Sequence, residues 1–243
     1  MVEAAPGWPV CSPPVGLPPP GEVHCYRLLI DRISVAGRAV LSALLSPVER
    51  ERAAAYRREE DRLRSVAAYG ALRQLAGAAL EEDPARLVIG RQPGGRPVLR
   101  DFPLHFNLSH SGRVVLVALS SGAPVGIDVE EARPLDDFRQ LAAHAFHPAE
   151  VAALQSYAED RAQLGFFRLW TRKEALVKAL GLGLALPLDQ FQVSAGSPRV
   201  LSPVGGVVAA CWTLGDLDPA PGYVAAFAVP AAARLVKCAT FVS

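Results

Sequence analysis

Lysine is scarce in this chain. Of its 25 basic residues only Lys173, Lys178 and Lys237 are lysines, and the rest are arginines. Two of the three stand five positions apart in a chain that otherwise uses arginine, which favours chemistry that needs an amine at Lys173 and Lys178. Cysteine is scarce too: the four, Cys11, Cys25, Cys211 and Cys238, form no Cys-x-x-Cys pair and no zinc-ligand spacing. That argues against a metal cluster or a redox dithiol and fits a reducing cytoplasm as the expected location. The net charge of +1 lacks the excess of one sign that draws proteins to nucleic acid or anionic membranes, so neither is expected as a partner. Any basic site must be local. Long apolar runs are missing as well, since each uncharged stretch is broken by Gly, Thr or Asp before it could span a bilayer. No Lys or Arg precedes Arg27 to form the charged start of a signal peptide, so a soluble protein is expected.

What remains is the composition of a globular protein, with 51% apolar and 20% charged residues over 243 positions. That length suits either one α/β unit or two lobes of roughly 100 residues each. Seven prolines crowd the first 21 residues, which predicts an extended or mobile leader over 1–21. Alternation predicts a strand over His24 to Ile30, and Ser46-Pro47 predicts an N-capped helix running to Tyr56. A longer helix is predicted over Asp61 to Leu80, with Leu63, Ala67, Gly70, Ala71 and Leu75 on its inner face. Strands are expected at Leu87 to Ile89, His105 to Ser109, Val114 to Ser120 and Gly126 to Val129, with a turn at Gly94 to Pro97. Helices should cover Leu135 to His144, Pro148 to Tyr157 and Arg161 to Leu180, and Phe191 to Val229 alternates like sheet. Each half then holds helices and strands: an α+β fold of two similar lobes, 22–121 and 122–243.

Three stretches carry chemistry. In Gly126-Ile127-Asp128-Val129-Glu130 two carboxylates at i and i+2 share one face of a strand. Such a pair repels unless a cation joins it, and a hard dication such as Mg²⁺ takes oxygen ligands of this kind; an exposed polar strand face is the alternative. On the last long helix Trp170, Glu174 and Lys178 fall at i, i+4 and i+8, one ridge with an aromatic, a carboxylate and an amine. That ridge is either an ordinary surface pair or a half-buried acid and proton donor. Phe106-Asn107-Leu108-Ser109-His110-Ser111-Gly112 ends a strand in small polar groups and a histidine. Neighbours on a strand face opposite ways, so Ser109 and His110 make a poor nucleophile and base; phosphate binding or a capped turn suits them better.

In order along the chain, Gly95-Arg96-Pro97, Asn107 to Ser111, Gly126 to Glu130 and Trp170 to Gly183 resemble the 4′-phosphopantetheinyl transferases of the surfactin-synthetase type. The resemblance spans about Ser46 to Phe227. It implies a pseudo-dimer of two α+β lobes with the active site in the cleft between them. The activity implied is Mg²⁺-dependent transfer of phosphopantetheine from coenzyme A to a serine of apo acyl or peptidyl carrier proteins, with release of adenosine 3′,5′-bisphosphate. Mn²⁺ is an allowed substitute, and a monomer is expected. Asp128, Glu130 and Glu174 resemble the metal ligands, and His110 and Ser109 resemble contacts to the 3′-phosphate and pyrophosphate. Gly95, Arg96 and Pro97 resemble the adenine-side loop, with Arg96 where lysine is common. Arg64 resembles the helix arginine at the 3′-phosphate, and Lys173 and Lys178 the phosphate-facing lysines. Glu174, Glu150 or a metal-bound water is the expected base, and Lys178 the group that stabilises the leaving phosphate.

Overall fold

The computed structural model describes residues 3–4, 7–92, 95–233 and 235–242. In chain order these form β1 (Glu3–Ala4), β2 (Val10–Cys11), β3 (Glu22–Leu29), α1 (Val35–Leu44), α2 (Pro47–Ala54) and α3 (Glu59–Leu80). Then come β4 (Ile89–Arg91), β5 (Pro97–Leu99), β6 (His105–Ser111), β7 (Val114–Ser120) and β8 (Gly126–Glu131). The rest are α4 (Phe138–Ala145), α5 (Pro148–Gln155), α6 (Glu159–Leu180), β9 (Trp212–Leu217), β10 (Tyr223–Pro230) and β11 (Leu235–Phe241).

Two sheets lie face to face between two long helices. The first sheet runs β1-β11-β3-β7-β6, with β2 also on β11, and the second runs β8-β10-β9. Helix α3 covers the outer face of the first sheet through Leu72 and Leu75 against Phe106, Val115, Val117 and Leu119. Helix α6 covers the outer face of the second through Leu169 and Leu176 against Val224, Ala226 and Ala228. Between the sheets a third core joins Val23, Leu116 and Val236 to Ile127, Val129 and Phe227. Every residue of β7 is therefore buried, as expected for a strand covered on both faces. Gly126 permits the tightest of these contacts, because a Cβ there would lie 1.9 Å from the Ala175 carbonyl of α6.

One local design occurs twice. Helices α2 and α5 are both eight residues long and start with proline, and a glutamate in the first turn of each, Glu49 or Glu150, closes a capping box. Both glutamates are buried and each pairs with a buried cation on the following 22-residue helix: Glu49 with Arg73, Glu150 with Lys173. Helix α6 begins 100 residues after α3, so Arg73 and Lys173 hold the same position in their helices. Both cations also donate to carbonyls of the segment beyond their helix, Arg73 to Pro84 and Leu87, Lys173 to Leu188 and Phe191.

Two expectations need correction. The proline-rich stretch is packed on the body from residue 7 onwards: β2 pairs in parallel with β11, and the Trp8 indole donates to the Asp218 carbonyl at 2.8 Å and stacks near Arg27. Prolines removed its internal donors, but Pro9 still offers a carbonyl to the Thr240 amide at 2.7 Å. Strand β11 leaves the second half and pairs with β3 of the first sheet, so one sheet draws on both sides of residue 121. Helix α1 and strand β11 were not foreseen, and between Phe191 and Cys211 isolated bridges and a 3-10 turn at Ala209–Cys211 form where strands broken by turns at Gly196-Ser197-Pro198 and Gly205-Gly206 were expected.

Removing residues 1–20 uncovers the edge of β11 and the packing of Trp8. We expect a loss of about 2 kcal/mol, a fall of about 4–8 °C in the thermal midpoint for a chain of this size. An unchanged melting curve would show that the packed leader adds nothing to stability.

Candidate active site

Strand β8 is an edge strand of the second sheet, paired only with β10. Side chains of β6 close its open edge. Asn107 Oδ1 accepts from the Ile127 amide at 3.0 Å, Ser109 Oγ from the Val129 amide at 3.3 Å, and Ser111 Oγ from the Glu131 amide at 3.1 Å. The period of two places all three on one face of β6. The same two serine hydroxyls donate onward, Ser109 to Asp128 Oδ1 at 2.8 Å and Ser111 to Glu130 Oε2 at 2.9 Å. Ser109 is buried, and its hydroxyl joins the Val129 amide, Asp128 and Lys178 in one network.

Asp128 and Glu130 face α6, while Ile127 and Val129 sit in the core between the sheets. From α6, Lys178 Nζ reaches Asp128 Oδ1 at 2.6 Å, Ser109 Oγ at 3.1 Å and the Ile127 carbonyl at 3.3 Å. Burial and then the charge of Asp128 push the carboxyls of Glu130 and Glu174 above the usual carboxylate range. Three acids thus share one region with a single amine to relieve them, and Asp128 Oδ2 is buried without a partner. An all-oxygen set of this kind fits a hard dication. Among the described residues no three such side chains are yet close enough to enclose an ion, and Lys178 neutralises Asp128 in its place.

Beside the carboxylates a cleft of about 860 Å³ opens between α3, the β6–β7 turn, β8 and α6. One wall carries Arg64, His110, Ser111 and Glu130, the other Leu135, Leu141, Phe166 and Trp170. Arg64 is aimed by donating to the Gly112 carbonyl at 3.1 Å and by its pairing with Asp61. Burial, with Arg64 and Lys178 nearby, holds the His110 imidazole below its usual value. A smaller pocket of about 260 Å³ lies among Tyr69, Gly95, Arg96, Pro97, Asn107 and Lys178. There the Arg96 guanidinium spans the two halves, donating to the carbonyls of Ala179 at 3.0 Å and Val125 at 3.4 Å.

Two residues singled out from the sequence lie elsewhere. Glu150 and Lys173 are 1% and 0% exposed, joined at 2.8 Å and packed beneath Phe146 and Phe191, so neither reaches the cleft. Both Glu150 oxygens are in use, Oε2 on the His147 amide and Lys173, Oε1 on the Val193 amide. Five positions along a helix turn the direction by about 140°, so Lys173 cannot share the ridge of Lys178. Glu150 as a base and Lys173 as a phosphate contact are therefore withdrawn. Sequence reasoning also missed Arg172, which holds α6 to β9 through a two-pronged pair with Asp216 at 2.8 and 2.6 Å. Its place beside Lys173, among apolar helix residues, was the available signal.

A family described as the 4′-phosphopantetheinyl transferase superfamily matches residues 124–228, and one described as 4′-phosphopantetheinyl transferase, N-terminal, matches residues 36–122. The chain is 35% identical over 212 residues to the 4′-phosphopantetheinyl transferase HetI of Nostoc sp., covering 86% of this chain and 87% of that one. It is 32% identical over 170 residues to the 4′-phosphopantetheinyl transferase Sfp of Bacillus subtilis, 69% of this chain and 75% of that one. A 4′-phosphopantetheinyl transferase from Salmonella typhi, AcpT, is 38% identical over 144 residues, 54% of this chain and 73% of its own length. The chain belongs to the 4′-phosphopantetheinyl transferases. Among the described residues no helix is long and apolar enough to cross a membrane.

Removing one member of the Glu150–Lys173 pair leaves the other charge buried. Lys173→Met should cost about 3–5 kcal/mol in urea unfolding, and adding Glu150→Leu should recover part of it. A single variant as stable as the parent would show that water reaches the pair.

Proposed function

We propose that this protein transfers the 4′-phosphopantetheine group of coenzyme A to a serine hydroxyl of apo acyl or peptidyl carrier proteins and releases adenosine 3′,5′-bisphosphate. Asp128, Glu130 and Glu174 would hold Mg²⁺, or Mn²⁺ in its place. The observation that carries the reading is the meeting of these three acids with Lys178 at the edge of a cleft lined on one side by Arg64 and His110. In this reading the molecule is a pseudo-dimer of two α+β lobes that acts as a monomer, without nucleic acid or membrane, and in the cytoplasm. The repeated pairs Glu49–Arg73 and Glu150–Lys173 support the two-lobe description.

His110 and Arg64 bind the 3′-phosphate, and the Gly95-Arg96-Pro97 loop borders the adenine. When bound, the metal offsets negative charge that grows on the pyrophosphate oxygens during transfer. Glu174, one helical turn from Lys178 and near Asp128, accepts the proton of the attacking serine directly or through water. Lys178 Nζ faces the same region and stabilises the leaving phosphate, a role that suits an amine able to give up a proton. The apolar wall of Leu135, Leu141, Phe166 and Trp170 excludes water from the arm of coenzyme A and from the carrier serine.

Incubation with an apo carrier protein, coenzyme A and Mg²⁺ should add the mass of one phosphopantetheine to the carrier, read by mass spectrometry, and a chelator should stop it. Binding of coenzyme A without any mass gain would reduce the protein to a binding module. Asp128→Ala should abolish transfer, and Glu174→Gln should lower kcat by a factor on the order of 10² or more. Lys178→Arg should still bind coenzyme A but turn over slowly.

The depressed imidazole gives a separate pH test. Affinity for adenosine 3′,5′-bisphosphate, measured by calorimetry, should strengthen as pH falls through the lowered value of His110, because the imidazolium attracts the phosphate. The rise should level off at low pH, where the ring is already protonated before the phosphate binds. His110→Ala should flatten it throughout; a variant that keeps the parent's slope would place the titrating group elsewhere.

A further inference from the structure

The β6–β7 turn carries a contact that the proposed chemistry does not use. Gly112 has φ +50°, and a Cβ placed there would lie 2.3 Å from the Tyr223 hydroxyl, so the phenol sits directly against the turn. Tyr223 opens β10 of the second sheet and is 7% exposed. Its hydroxyl accepts from the Arg113 amide at 3.0 Å and donates to Glu131 Oε1 at 3.2 Å. Both capacities of the phenol are thus spent on one purpose, holding the Arg113 N–H against β8.

The Arg113 N–H and the Gly112 C=O belong to one peptide plane. Fixing the N–H on Tyr223 therefore fixes where the carbonyl points, and it points at Arg64, 3.1 Å from the guanidinium. Glycine is the residue that most readily lets such a plane rotate, and the turn's other anchors, the Arg113 side chain on Asp31 and the Arg113 carbonyl on the Ile30 amide, hold the plane only from beyond its end. Rotation would take the carbonyl away from Arg64 and disturb His110, which lies two residues before Gly112 near the end of β6.

We propose that Tyr223 is a positioning residue which sets recognition of the nucleotide 3′-phosphate by locking the Gly112–Arg113 peptide. It acts through Arg64 and His110 and touches no reacting atom. The inference rests on the assignment of those two residues to the 3′-phosphate. It makes selectivity in one half of the molecule depend on a hydroxyl supplied by the other.

Tyr223→Phe keeps the ring and removes only the hydroxyl, and the test uses the full chain with an apo carrier protein. The KM for coenzyme A should rise about tenfold, while the KM for 3′-dephospho-coenzyme A and both kcat values stay within about twofold of the parent. Hydrogen exchange at the Arg113 amide should accelerate. Glu131→Gln, which still offers the phenol an oxygen, should keep most of the selectivity. The proposal is overturned if Tyr223→Phe leaves the ratio of the two KM values unchanged, or if it weakens both substrates equally as a general loss of structure would. A parent enzyme that does not discriminate between the two substrates would remove the phosphate assignment of Arg64 and His110, and the selectivity role of Tyr223 with it. In that event the exchange rate at Arg113 still reports whether the phenol locks the peptide.

Discussion

The open edge of β8 is the constraint on which the rest depends. A buried strand edge must find partners for its amides, and here three side chains of β6 supply them where a strand would ordinarily do so. Hydrogen bonding by side chains has two consequences that a continued sheet would not have. It lets the two sheets remain separate layers, with Ile127 and Val129 buried between them. It also aims the serine hydroxyls at the next carboxylates along β8, so one set of groups both joins the halves and orients Asp128 and Glu130.

The electrostatics follow from that placement. Asp128 is 4% exposed, and desolvation would disfavour its charge if Lys178 and Ser109 did not both approach the same oxygen. Glu130 and Glu174 have less compensation, and the rise in their proton affinity is the cost of keeping three acids together. Buried ions that serve structure alone are matched, as Glu49 with Arg73 and Glu150 with Lys173 are. The contrast between matched and unmatched acids separates architecture from site within one molecule.

Much of this was legible in the sequence where local rules dominate. The i, i+2 spacing placed Asp128 and Glu130 on one face, the proline after Ser46 marked the start of α2, and the Trp170–Glu174–Lys178 ridge runs along α6 as spacing predicted. Legibility ended where tertiary contacts override local signals. Helix α1 buries only Gly37 and Leu41 and exposes Val35 and Val40, so its largest apolar residues do not mark the buried face. The leader strands β1 and β2 are two residues each, too short to announce a strand, and they become sheet only because β11, itself laid on the distant β3, receives them. Lys173 misled for a different reason: rarity of lysine is a compositional signal, blind to the 140° that separates it from Lys178.

The repeated Glu-to-cation pairs explain why Lys173 is lysine at a matched position without chemistry. Its counterpart Arg73 does the same work with a guanidinium, reaching one carboxylate and the carbonyls beyond the helix. At the positions on α3 that match Glu174 and Lys178 stand Gln74 and Ala78, which offer neither a charge nor a transferable proton at neutral pH. Conversely Arg64 on α3 matches Leu164 on α6. The two helices are alike where they hold their sheets and unlike where they border the cleft, α3 bearing Arg64 and α6 Glu174 and Lys178. A cleft between two copies with identical faces would put like charges opposite each other; under the proposed function, divergence of the two helices is what would let a single chain meet both ends of one elongated, anionic substrate.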